Sequence, residues 1–104
     1  LKFDITNLLI VFDELLTPPT DEKQGIFWFR AVRSDGLIIT LSLSIYECYA
    51  GVLIHNRSDV AISSVSMKNC SEIRVLDENK KCLEILHAEG TKRCFLVLVR
   101  RSYS

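Results

Sequence analysis

Ile5, Leu8, Leu9, Phe12, Leu15 and Leu16 recur at intervals of three and four, which places them on one face of a helix of period 3.6. The pattern predicts an amphipathic helix over residues 1–16. Asp4 or Thr6 supplies a side-chain oxygen for the first unpaired amides. Asp13 and Glu14 lie toward the far end, where the helix dipole disfavours acids. Pro18-Pro19 ends the helix, because neither nitrogen can donate and Pro18 biases Thr17 away from helical backbone. Residues 17–25 are polar and have the length of an ordinary loop.

From residue 26 the period changes to two. Ile26 to Arg33 is aromatic and β-branched, as strands prefer. Alternation puts Trp28 on the face opposite Phe27 and Phe29. Ser34-Asp35-Gly36 is a hairpin turn, with Gly36 free to take positive φ. Leu37 to Tyr49 reads as one long strand, with Leu37, Ile39, Leu41 and Ile45 facing one way and Thr40, Ser42 and Ser44 the other. Hydroxyls on one side and aliphatics on the other mark an antiparallel strand with one wet face. Ala50-Gly51 reads as a bulge or bend in that run. Val52 to His55 continues it, and Asn56 to Asp59 turns. Val60 to Lys68 comes next, with a phase slip expected at Ser63-Ser64. Glu72 to Leu76, Cys82 to Ala88 and Cys94 to Val99 complete the set, joined by polar turns at 77–81 and 89–93. The last run is nearly continuous in apolar residues, the signature of a strand covered on both faces.

Strands in series, without interleaved helices, predict an α+β fold that is mostly β. The expected architecture is an N-terminal amphipathic helix followed by a six- to seven-stranded antiparallel sheet. That sheet is curled or folded into a sandwich or partial barrel. The chain of 104 residues has the size of a single domain, with residues 26–101 as an antiparallel β-meander. A helix of about 11 residues spans ~16 Å and covers roughly three strands at ~4.8 Å spacing. The remaining apolar sheet surface must meet a second sheet or a second chain.

Composition narrows the partners. Lys plus Arg and Asp plus Glu are 13 each, for a net charge of zero. Nucleic-acid binders draw much of their affinity from a basic excess, so no nucleic-acid partner is expected. Lys92-Arg93 and Arg100-Arg101 read as a solvated turn and strand end. The longest apolar runs, Leu8 to Phe12 and Phe95 to Val99, are far shorter than the roughly 20 residues of a spanning helix, so no membrane partner is expected either. Lys2 followed by Asp4, with no small-residue cleavage site, is not the pattern of a secretory leader. Cys48, Cys70, Cys82 and Cys94 each lie in or beside an apolar strand pattern, where a free thiol behaves as a small hydrophobe. Four free thiols point to a reducing, cytoplasmic compartment.

Catalytic and metal chemistry find little support. The glycine-rich phosphate loops, the G-x-S-x-G elbow and the H-E-x-x-H helix are missing from the sequence. The cysteines are spaced 22, 12 and 12 apart and the two histidines 32 apart, unlike the close-spaced ligand pairs of zinc sites. A terminal hairpin turning near residue 91 would set Cys94 opposite Ala88 and Cys82 opposite Arg100, out of each other's reach. His55 and His87 read as surface strand residues, and Glu47 beside Cys48 works against an activated thiolate. No catalytic residue, metal ligand or cofactor is therefore assigned.

Aromatic residues supply the remaining candidates, because exposed Trp and Tyr are enriched at interfaces. Trp28 with Arg30 on its face is the first binding candidate. Tyr46, sharing a face with Ser42, Ser44 and Cys48, is the second. The leading expectation is a non-enzymatic protein-interaction domain with a protein partner or as a homodimer, Trp28 or Tyr46 lying in the contact. The alternative is a small-molecule-binding domain with a pocket between the helix and the curved sheet. A hydrolase built on Cys48 or a histidine is the third and least supported reading.

Overall fold

A computed structural model describes residues 1–77, 79, 82–90 and 93–97. The expected Lys92 turn, the Arg100-Arg101 cluster and the Leu98-Val99 end of the last strand lie outside these residues. The chain forms a helix Ile5–Val11 (α1), a two-residue strand Glu14–Leu15 (β1), and a 3₁₀ turn at Glu22–Gln24. Seven longer strands come after it: Ile26–Val32 (β2), Ile38–Ser44 (β3), Tyr49–His55 (β4), Ala61–Met67 (β5), Cys70–Asp77 (β6), Cys82–His87 (β7) and Arg93–Val97 (β8). They make two antiparallel sheets in sequential order, β1 to β5 and β6 to β8, and neither closes into a barrel.

The helix is much shorter than its hydrophobic pattern predicts. Asp4 caps it as expected, accepting a hydrogen bond from the Asn7 amide at 3.1 Å. It ends at Val11, with Phe12 already extended (φ −98°, ψ 150°). A competing partner explains the early stop. The Asp13 and Leu16 amides donate to the Arg30 and Trp28 carbonyls at 2.9 and 2.7 Å, and the Asp13 carboxylate accepts from the Val32 amide at 2.9 Å. Acids poorly placed at a helix C-terminus thus serve the β2 edge instead. The buried helical face shrinks to Leu8 and Val11, continued by Phe12, all at 1% exposure or less. Leu9, expected in the core, is 41% exposed, and Leu15 is half-buried.

Alternation settles which side of the large sheet is dry. Phe27, Phe29 and Ala31 on β2, Ile39, Leu41 and Leu43 on β3, and Ala50 and Val52 on β4 are buried. They join Leu8, Val11, Phe12, Cys70, Ile73, Leu83, Ile85 and Leu96 in one cluster, so the helix and the small sheet share the core of the large one. Phe12 leans on Phe29 with ring centres 5.9 Å apart, and Phe3 meets Phe27 edge-on at 5.3 Å.

The hairpin at Ser34-Asp35-Gly36 forms as the sequence predicts, with Gly36 at φ 87°. The next strand does not run through to Tyr49. It ends at Ser44 and reverses, so that Ser44 lies opposite Tyr49 and Ser42 opposite Gly51. Cys48 makes the turn possible by taking left-handed backbone (φ 51°), and the Glu47 amide donates to Ser44 Oγ at 3.3 Å. Gly51 is therefore a mid-strand residue and not a bulge. The real irregularity of this sheet is in β5, where Ile54 pairs with Ser63 but His55 pairs with Ala61, leaving Ile62 as the extra residue one position before the expected slip. The last strand is not central: β8 is an edge of the small sheet, and Phe95 is 59% exposed. Its register also differs from expectation, with Cys94 opposite Ile85 and Cys82 opposite Val97.

Helix burial makes the first testable contrast. Phe12→Ala is expected to cost ~3–5 kcal/mol, the range for deleting a buried aromatic ring, while Leu9→Ala is expected within about 0.5 kcal/mol of wild type. Urea denaturation of the two variants checks this.

Candidate functional site

The face of the large sheet that turns away from the core carries two of the sequence-derived candidates and several residues beyond them. Pairing places Trp28, Ser42, Gly51 and Ser66 in one row across β2, β3, β4 and β5, and Arg30, Thr40, Leu53 and Ser64 in the next. Cross-strand partners share a face. Trp28 is half-buried and Leu53 is 38% exposed. Between them lies a shallow hollow of about 210 Å³ whose walls include Trp28, Thr40, Tyr49 and Leu53.

Gly51 makes the floor of that hollow. A Cβ at this position would stand 2.7 Å from the Tyr49 hydroxyl and 3.1 Å from Ser42 Oγ. Tyr49 is two residues back on the same strand and the same face. Its side chain therefore lies along β4 across the gap that Gly51 leaves, as aromatic side chains do beside strand glycines. The Ser42 hydroxyl donates to the Gly51 carbonyl at 3.5 Å.

Trp28 and Arg30 do share this face, but they have different surroundings. The Trp28 amide donates to Thr20 Oγ1 at 2.8 Å, anchoring the loop after the prolines to β2. Arg30 Nε donates to Glu14 Oε1 at 2.8 Å, and its Nη2 makes a second bond to the same oxygen. Both side chains are over 40% exposed, and such pairs contribute about 0–1 kcal/mol. Arg30 is thus a charge-balanced rim to the hollow. Tyr46 is not on the face at all. Because β3 stops at Ser44, Tyr46 sits at the tip of the β3–β4 turn, 75% exposed. Its ring edge would lie 3.0 Å from a Cβ added at Gly25, which is held at φ 68°. Its expected grouping with Ser42, Ser44 and Cys48 does not form.

Tyr49, Gly51 and Leu53 do not stand out in the sequence, because Gly51 reads there as a break. Once the turn is placed at 45–48, their alternation with the buried Ala50 and Val52 is the signal.

Other polar groups are engaged locally. His55 Nδ1 lies 3.1 Å from the Asn56 carbonyl and 3.7 Å from Asp59 Oδ1. His87 Nδ1 accepts from the Glu89 amide at 3.2 Å. On β7, Glu84 is 3% exposed and bonds Arg74 Nη2 across the strand pair at 2.7 Å. That bond holds the Arg74 guanidinium above its ordinary range. Among the described residues no three His, Cys, Asp or Glu side chains gather as a metal site would require. The groove beside α1, with Lys2, Asp4, Glu72 and Arg74 among its lining residues, is open to solvent and charged.

Four thiols stand free. Cys48 and Cys70 are neighbours, the Cys70 amide donating to the Cys48 carbonyl at 2.7 Å. Cys70 is 2% exposed, and burial pushes its thiol above the ordinary range. The unfolded chain then loses this proton at lower pH than the native one. Cys70 is expected to lower stability as pH rises from the ordinary thiol range toward its raised native value, and to leave stability unchanged below that window. Denaturation midpoints of wild type and Cys70→Ala against pH check this, the alkaline loss being smaller in the variant.

A second check concerns the floor. Gly51→Ala is expected to cost ~1–3 kcal/mol by overpacking. In a Tyr49→Phe background, which removes the closest oxygen, that cost is expected to fall by about 1 kcal/mol, measured as a double-mutant cycle.

No protein-family model, no curated protein and no solved structure matches this chain.

Proposed function

We propose that the chain is a non-enzymatic protein-interaction domain whose contact surface is the outward face of the β1–β5 sheet. The observation that carries this reading is the hollow over Gly51, walled by Trp28, Tyr49 and Leu53 and edged by serine and threonine hydroxyls. Aromatic walls around a shallow hollow, with Tyr49 lying across Gly51 at its floor, suit an apolar side chain of a partner, the usual anchor of a protein interface. The volume of about 210 Å³ falls below the ~300–1,000 Å³ of small-molecule pockets, which favours a side chain over a free ligand. The polar groups on the face are hydroxyls, and its nearest charge, Arg30, is already paired with Glu14. Four free thiols favour a reducing, cytoplasmic setting. No helix among the described residues is long and apolar enough to cross a membrane.

A photo-crosslinking residue in place of Arg30, on this face but three strands away from β5, tests the reading in cells. The expected result is a discrete protein adduct that Trp28→Ala abolishes while circular dichroism shows the chain still folded, and that is missing when the probe replaces Glu22. An adduct that survives Trp28→Ala, or equal labelling from Glu22, would contradict it.

A further inference from the structure

The structure treats its sheet edges unequally. The β2 edge is closed by β1, by the Asp13 carboxylate and by the Thr20 hydroxyl. The β6 edge is met at its start by Lys2, whose amide donates to the Ser71 carbonyl and whose carbonyl accepts from the Ile73 amide, both at 2.9 Å, and β8, the other outer strand, is five residues long and opens on Arg93. β5 is the last strand of its sheet, bonded on one side to β4. Among the described residues no strand pairs with its other side. Open edges are normally blunted by lysine, proline or brevity. Ala61–Met67 has seven residues, AISSVSM, with neither a charge nor a proline. The row of unpaired amides and carbonyls along such an edge is recognised by another β-strand.

We infer that the free edge of β5 pairs antiparallel with β5 of a second copy, about a two-fold axis at Val65, to make one continuous ten-stranded sheet. Three observations select a second copy as the occupant. The bulge at Ile62 leaves residues 63–67 regular, and Val65 is their midpoint. A two-fold axis perpendicular to the sheet keeps each face with its own kind, so Val65 meets Val65 of the second copy. Ser64 meets Ser66 of the second copy, giving hydroxyl pairs on the outward face, and Met67 flanks the valines on the core side. Val65 points to that core side, through its pairing with buried Val52, yet is 46% exposed. It needs cover that the small sheet does not provide. Finally, the strand carries no charge and the chain has zero net charge, so nothing opposes approach of a like molecule. An edge of this length is small beside standard interfaces, and association with a Kd of roughly micromolar order is expected.

This inference concerns the edge and not the Trp28 face, so either can fail alone. Sedimentation velocity of the wild-type chain, Val65→Lys and Val65→Glu tests it, with circular dichroism melts of each. Wild type is expected to shift from monomer to dimer between about 1 and 100 μM. Each variant alone is expected to stay monomeric over that range, because like charges then face each other at the axis. An equimolar mixture of the two is expected to regain the dimer, which also shows that both are folded. A wild-type monomer throughout, a dimer that persists in either variant, or no recovery in the mixture would overturn the pairing. Trp28→Ala is expected to leave the dimer unchanged, and loss of the dimer in that variant would place the contact on the other surface and overturn it too.

Discussion

The large sheet is built from strands whose side chains alternate between two faces, broken only by the bulge at Ile62 in β5, and the core covers one of those faces. Phe29 and Leu41 are fully excluded from water at its centre, packed beneath α1 and the β6–β8 sheet. Each fully buried large aliphatic or aromatic side chain contributes roughly 1.5–3 kcal/mol by leaving water. Since side chains alternate, fixing Phe27, Phe29, Ile39, Leu41 and Leu43 inward forces Trp28, Arg30, Thr40 and Ser42 outward. A register slip of one residue would exchange the two sets, so the burial that stabilises the fold also specifies what the outer face displays.

The same packing explains the economy of the N-terminal segment. A seven-residue helix is too short to persist alone, and it holds because Leu8, Val11 and Phe12 are taken into the core. Beyond the helix, Asp13, Glu14, Leu16 and Thr20 seal the β2 edge. Ahead of the helix, Lys2 pairs with β6 at Ser71 and Ile73. One stretch running from Lys2 to Thr20 thus covers part of the core, closes the β2 edge and pairs with the start of β6, while β5 receives no such treatment.

Much of this is legible in the sequence, and the mismatches have identifiable causes. The split of Phe27 and Phe29 from Trp28, the Asp35-Gly36 turn and the hydroxyl face of β3 derive directly from period two. The helical pattern overruns the real helix because Leu15 and Leu16 continue its spacing. Hydrophobic spacing does not reveal that an unpaired β2 edge competes for the same backbone amides. The turn at 45–48 is hidden because Ile-Tyr-Glu-Cys contains none of the usual turn residues, and its left-handed position is filled by Cys48. That one hidden turn is enough to put Tyr46 on a strand face in the sequence pattern and to leave Tyr49 and Leu53 unremarked. The uneven protection of edges cannot be read from one strand at a time, since it depends on which segments happen to lie alongside.

One face of the large sheet is sealed by the core, and the other stands open with Trp28 on it. Trp28 is the only tryptophan, so acrylamide quenching of its fluorescence reports on that face alone. In the native chain the expected result is emission between the buried and solvated extremes, with quenching at a clear fraction of the rate seen after denaturation. Blue-shifted emission that acrylamide does not quench would show Trp28 sealed within a second layer and contradict the open face.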